Sequence, residues 1–278
     1  MGIIYGLIAA LGWGTGDFLI TRASRQIGWQ WTIVCSQLCG IVAIGLVLGV
    51  RYDPLPPPGL AWLVAIAVNL LNLTGTLLLY RAFAIGTLAI VSPISASFAA
   101  VTAVLAFLDG EQIGLLTLAG TGLVIVGVMT VSRGPGKVRA DLRGVPEAIG
   151  VALSFGFFFW LVGDVTATFG IAWPVLIGRV LTLLAGIVII LIVRHPIPRL
   201  SGQYLGLIIA ASALDTVAFL SFNTGIATAY VSVVTALASI FSAVTVVLAW
   251  LILRERLAHS QWVGVAGILV GVLLVSLP

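Results

Sequence analysis

The sequence predicts an all-α integral membrane protein of ten transmembrane helices, arranged as two inverted five-helix repeats. Three observations predict it. The 278-residue chain is 61% hydrophobic and only 8% charged, against roughly 25% charged in a soluble domain. Ten segments approach the roughly 20 apolar residues that a spanning helix needs. Phe98–Leu108, FAAVTAVLAFL, returns as Phe241–Leu251, FSAVTVVLAWL, with eight of eleven positions identical at a shift of 143.

The duplication runs on beyond that stretch. After one inserted residue the shift becomes 144, pairing Glu111 with Glu255, Gly120 with Gly264 and Gly127 with Gly271. A single period of half the chain is one duplication and not a solenoid. An odd number of helices per half makes the second half enter the membrane from the opposite face. Inverted repeats of that kind are frequent in secondary transporters.

The first segment, 3–21, runs on from the N-terminus without a basic n-region, so it reads as a helix and not a secretory signal. Segment 30–50 carries Cys35 and Cys39, four apart. No His or further Cys completes a metal set, so they read as packing residues. Segments 60–82, 86–107 and 113–132 close the first half. Pro93 lies near the start of the fourth and predicts a kink there. The longest polar interval, Arg133–Glu147, reads RGPGKVRADLRGVPE. It predicts a first repeat over 1–133, a basic linker over 134–147 and a second repeat over 148–278. The second half continues as 149–169, 173–193, 203–225, 230–252 and 261–277. In the last segment Gly267 and Gly271 form a small-xxx-small face, for packing within the protomer or across a homodimer.

Basic residues set the orientation. Face A is the side of the N-terminus, face B the other. Face B receives Arg22, Arg25, Arg81, Arg133, Lys137, Arg139, Arg143, Arg194, Arg199, Arg254 and Arg256; face A receives only Arg51. Face B is therefore expected in the cytoplasm, with both termini outside a cell inner (cytoplasmic) membrane. The net charge of +4 is then topology, and no nucleic-acid partner is expected.

Polar residues inside spans are the candidate site. Trp13-Gly14-Thr15-Gly16-Asp17 and Trp160-Leu161-Val162-Gly163-Asp164 share W-x-x-G-D, followed by Thr21 and Thr168, at a shift of 147. Trp and Asp four apart share a helix face. A carboxylate near the centre of a span costs about 2.5–3.5 kcal/mol. Asp17 and Asp164 therefore either face a polar cavity or lie near enough a helix end to reach interfacial water. In the third helix Asn69, Asn72, Thr76 and Tyr80 form one helical stripe. Their equivalents in the eighth are Ser212, Asp215, Phe219 and Asn223. In lipid such stripes turn inward, as a cavity wall or as interhelical glue. Asp215, at mid-helix, suits a proton or substrate-cation site. Arg179, the one arginine inside a span, is expected to pair with Asp215 or Asp164, or to hold a substrate carboxylate.

Other chemistries lack their parts. There is no phosphate loop, and no histidine beside a nucleophile as a membrane hydrolase would need. No cofactor, metal or catalytic residue is expected, and the chain is not read as an enzyme.

The Trp13-Gly14 pair and the two FxAVTxVLAxL stretches, each followed by a glutamate and a glycine-spaced helix, resemble the drug/metabolite transporter superfamily. The nearest branch is its ten-helix EamA-like family. The resemblance implies a secondary transporter with a central cavity between inverted halves, often exporting amino acids or other small metabolites. In many relatives the basic loops put both termini in the cytoplasm; the bias here predicts the reverse. The expected function is alternating-access transport, as efflux, of a small metabolite, an amino acid or other zwitterion or cation. Proton coupling would run through Asp215. Asn69, Asn72 and Asn223 would bond the substrate, and Trp13 and Trp160 would wall it. An ungated facilitator or a non-transport membrane scaffold are the alternatives.

Overall fold

The computed structural model describes residues 2–51, 54–109, 115–132, 142–194, 196–198, 200–228, 231–255 and 258–275. Much of the expected linker, with Arg133, Lys137 and Arg139, falls outside the described residues, as do Glu111, His195, Arg199 and Arg256. Helix dominates the rest, because in lipid a helix satisfies its own backbone hydrogen bonds. In order the helices are α1 (Gly2–Ile27), α2 (Trp29–Arg51), α3 (Ala61–Ile85), α4 (Leu88–Ala96), α5 (Phe98–Leu108) and α6 (Leu115–Ser132). Then come α7 (Val145–Phe169), α8 (Trp173–Val193), α9 (Gly202–Thr228), α10 (Val231–Ser239) and α11 (Phe241–Leu248). A π-helical turn (Ala249–Leu253) and α12 (His259–Val275) complete the chain.

Among the described residues, seven segments are long and apolar enough to cross a membrane. Two shorter apolar runs, Leu237–Leu253 and Trp262–Leu274, accompany them. Several helices outrun their apolar stretch: Arg22, Arg25 and Arg81, expected in loops, are still helical. Gly28 reverses the chain after α1 with φ +87°, its N–H bonding the Ser24 carbonyl at 3.2 Å. This is the left-handed cap that glycine adopts without strain.

The helices pack in pairs that the repeat exchanges. α1 lies along α9 and α3 along α7, while α2 faces α8 and α6 faces α12. Each pairing maps onto another, or onto itself, when the halves are swapped. The Gly267 face is used inside the chain: a Cβ there would meet the Gly127 backbone at 3.7 Å.

Two close approaches fix the register of the first helix of each half. Thr245 Oγ1 donates to the Gly14 carbonyl at 3.1 Å, and Thr102 Oγ1 donates to that of Gly156 at 3.0 Å. Thr102 and Thr245 are repeat mates, so Gly14 corresponds to Gly156, a shift of 142. The W-x-x-G-D match at 147 is thus out of register, and Trp160 and Asp164 are not the counterparts of Trp13 and Asp17. Those counterparts are Phe155 and Phe159. The neighbouring sequence agrees: Ala10-Leu11-x-x-Gly14 returns as Ala152-Leu153-x-x-Gly156. At Gly14 a Cβ would lie 2.6 Å from both the Phe241 carbonyl oxygen and Val244 Cβ. The carbonyl belongs to a packed backbone and cannot swing away. Gly14→Ala is therefore expected to destabilise the protein by about 1–3 kcal/mol through overpacking. An unchanged thermal midpoint in detergent would contradict this.

Pro93 does not act alone. The break between α4 and α5 falls at Ser97, where Ser97 Oγ bonds the Pro93 carbonyl at 3.3 Å. The break between α10 and α11 falls at Ile240, the same repeat position. There Ala236 stands in place of the proline. The break is a feature of the repeat, which the proline accommodates by lacking an N–H. Directly after each break, Phe98 and Phe241 stack on one another with centroids 6.2 Å apart and planes at 10°. Because these rings are repeat mates, the approximate two-fold axis passes between them.

Candidate functional site

A cavity of about 90 Å³ opens beside that stack. One water needs about 10–15 Å³, so the space admits a small organic molecule. Nine of the eleven candidate residues line it: Trp13, Asp17, Asn69, Asn72, Thr76, Tyr80, Arg179, Asp215 and Asn223. Trp160 and Asp164 do not. The α7 face toward the cavity carries Phe155, Phe158, Phe159 and Val162. At 100° per residue this leaves Trp160 and Asp164 on the far side. Asp164 is exposed five residues before the end of α7, where interfacial water can reach it.

Arg179 pairs with Asp215, not Asp164. Its Nη2 donates to Asp215 Oδ2 at 2.5 Å and to Thr216 Oγ1 at 3.0 Å; its Nη1 reaches Gln37 Oε1 at 3.4 Å. The pair joins α8 to α9, with side-chain exposures of 5% for Arg179 and 33% for Asp215. Gly40 on α2 makes room for it: a Cβ there would lie 2.5 Å from the guanidinium carbon. Asp17 differs. Its carboxyl has no hydrogen bond or ion pair among the described residues, and it lines the same cavity as Asp215.

The polar stripes divide between lining and glue. Tyr80 shares a hydrogen bond with Ser36 across α2 and α3 at 2.9 Å. Asn223 Nδ2 donates to the Ile171 carbonyl at 2.8 Å, tying α9 to the turn before α8. Asn69 is only 1% exposed. Its Nδ2 donates to the Ala65 carbonyl at 2.9 Å, and among the described residues its Oδ1 has no partner, nor has Oδ1 of Asn72. Gly178 on α8 sits against both amides: a Cβ there would fall 2.6 Å from Asn69 Oδ1. Cys35 and Cys39 are free and half-buried on α2.

Much of the remaining wall is aromatic. Trp13 contacts Phe219 at 5.0 Å, and Phe159 and Phe222 at 5.7 Å, between ring centroids. Phe98 lies 4.6 Å from Phe159. The sequence reading did not count Phe98 and Phe241 among the candidate residues; both line the cavity. It also passed over Phe155, Phe158 and Phe159, which the Ala-Leu-x-x-Gly match could have shown.

At one end of the molecule a network crosses between helices. Arg25 donates to the carbonyls of Phe83 (3.3 Å) and Gly86 (2.8 Å) and to Glu255 Oε1 (3.0 Å). Glu255 Oε2 accepts the Ala89 N–H at 2.9 Å. The C-terminus of α3 thereby meets a cation and the N-terminus of α4 an anion, each the sign its dipole favours. A π-helical turn and Arg254 at φ +55° bring Glu255 there. This end is face B. At the opposite end Trp173 Nε1 bonds the Pro54 carbonyl at 2.9 Å, and Trp62 packs on Phe169 and Trp173.

Comparison with known proteins agrees with this architecture. The model of the EamA-like transporter family matches residues 1–133 and 142–277. No curated protein sequence matches the chain. Among solved structures, one crystal structure is 17% identical, with a TM-score of 0.70 over 98% of this chain and 95% of that one. At that identity the likeness is one of fold.

Proposed function

The chain belongs to the EamA-like transporter family, a family of multi-pass membrane transporters of small solutes, and on that premise we propose that the central cavity binds and exports its substrate. The observation that carries the reading is the convergence of eight polar or charged candidates, with Trp13, on one cavity at the junction of the halves. Buried ionisable groups within spans are costly, and in transporters they mark the substrate or ion path.

We read the chain as ten spans in two inverted repeats, over 1–133 and 148–278, joined by a basic linker. It sits in the cytoplasmic membrane with face B inside and both termini outside. One half rocks against the other around the midplane site. The lining reaches Pro174 and Val175 in the first turn of α8 toward face A, while Arg25 and Glu255 bridge face B. That contrast supports a conformation closed toward the cytoplasm. The substrate is a small zwitterion or cation, because Asp17 and Asp215 outnumber Arg179.

Proton coupling would use Asp215, whose partner Arg179 can hold it ionised and release it on rearrangement. Asp215→Asn is expected to abolish the pH dependence of uptake in proteoliposomes while leaving solute counterflow measurable. Coupling that survives the substitution would remove Asp215 from the proton path. Flux that neither saturates nor shows counterflow would replace the transporter by a facilitator.

A further inference from the structure

The substrate class can be narrowed by asking which groups in the cavity still lack a partner; the answer rests on the transporter reading. Arg179 is already committed. Three of its five N–H donors are bonded within the protein, the side chain is buried, and Gly40 closes one face of the guanidinium. Its charge is answered by Asp215, so a substrate carboxylate would meet no uncompensated cation. With Arg179 and Asp215 paired, Asp17 is left as the cavity carboxyl without a hydrogen bond or ion pair among the described residues.

One unpartnered neutral group has the same polarity. An amide of uncertain orientation could present either end, but Asn69 is fixed. Its neighbour there is a carbonyl, Ala65, which only the NH₂ end can bond. The bare atom is therefore the acceptor Oδ1, in a residue almost wholly buried. A buried acceptor without a donor is unfavourable by about 1–3 kcal/mol, and a ligand bringing N–H groups relieves it. The wall also carries the rings of Trp13, Phe98, Phe159 and Phe241. Aromatic faces attract cations and pack apolar bodies.

We propose that the cavity selects an organic ammonium that bears N–H donors and an apolar body, with Asp17 holding its charge and Asn69 Oδ1 accepting one of its hydrogens. Within the zwitterion-or-cation class this favours the cation. An added carboxylate would meet Asp215 and the bare Asn69 Oδ1, and no uncompensated cation. No bond is made or broken; the site works by charge, hydrogen bonding and shape.

The test is a matched series on the full-length protein in lipid nanodiscs, read by calorimetric Kd. Phenethylammonium, phenylalanine and 3-phenylpropionate differ in charge on one skeleton. Phenethyltrimethylammonium keeps the charge and lacks the donors. Phenethylammonium is expected to bind at least tenfold tighter than each of the others. Asp17→Asn is expected to weaken it at least tenfold. Should Asp17→Asn fail to fold, Asn69→Ser in the presence of Asp17 serves. It is expected to lose the preference for the ammonium over its trimethylated analogue. Phenylalanine binding as tightly, full affinity in Asp17→Asn, a retained preference in Asn69→Ser, or no binding by any member would each overturn the assignment. Counterflow in proteoliposomes separates this from the parent reading. Asp17-dependent binding without counterflow sinks transport alone; counterflow of a zwitterion or anion without ammonium binding sinks the substrate class alone.

Discussion

Replacing Arg179 with alanine is expected to produce the largest loss of stability of any single change in the cavity. Removing one partner of a buried ion pair typically costs about 3–5 kcal/mol, because the other charge is left desolvated and unpaired. The lower end applies here, since Asp215 keeps 33% exposure and cavity water can share its charge. Two uncompensated carboxylates, Asp17 and Asp215, would then line one cavity and repel. Asp215→Asn should cost less. Arg179 would keep Thr216 and Gln37 as acceptors, and an amide oxygen would stand where the carboxylate was. The double variant Arg179→Met with Asp215→Asn should recover much of the loss, because no unpaired charge remains. Chemical unfolding in detergent measures all three. If Arg179→Ala stayed within about 0.5 kcal/mol of the parent, as surface substitutions do, the pair would have no such role. If the double variant were no better than Arg179→Ala, the loss would come from packing and not from charge.

What the sequence revealed follows from which signals a membrane chain preserves. The repeat at 143 was legible because α5 and α11 pack against fixed partners and tolerate little change. The stripe on α3 and α9 was legible because polar residues at helical spacing have one sensible direction in lipid. The first helix of each half was misread for the same reason in reverse. Trp, Gly and Asp stand out in an apolar background, so W-x-x-G-D looked more informative than Ala-Leu-x-x-Gly. Backbone approach, not polarity, sets the register: at Gly14 and Gly156 the backbones of α1 and α7 accept hydrogen bonds from Thr245 of α11 and Thr102 of α5. The aromatic wall was hidden because Phe155 and Phe159 are ordinary membrane residues until their neighbours are known. The break at Ile240 carried no residue signal at all. The choice between Asp164 and Asp215 for Arg179 needed the helix faces, which two short polar motifs could not supply.

Disabling the face-B latch is expected to open the cavity toward that side. Glu255 holds Arg25 with one oxygen and the first turn of α4 with the other, while Arg25 grips the end of α3. The side chains are only 29% and 12% exposed, so the pair is better shielded than a surface salt bridge. A hydrogen bond to a charged group contributes about 1.5–3 kcal/mol. Loss of one such bond through Glu255→Gln should shift the opening equilibrium roughly 10–100-fold. The measurement is the rate at which a membrane-impermeant thiol reagent, applied from face B, modifies Ile20→Cys in a Cys35→Ser, Cys39→Ser background. Ile20 lines the cavity, so its reactivity reports the opening. A rate unchanged by Glu255→Gln would show that the latch does not hold this face shut. The repeat gives the latch direction. The position equivalent to Arg25 at the shift of 142 is Ala167, so the second half carries no matching arginine. Two halves that share a backbone therefore close their ends unequally, and the resting conformation should be biased toward closure at face B. Arg25→Ala should abolish that bias, raising reactivity from face B while lowering it from face A. If reactivity rose from both faces together, the helices would simply have loosened.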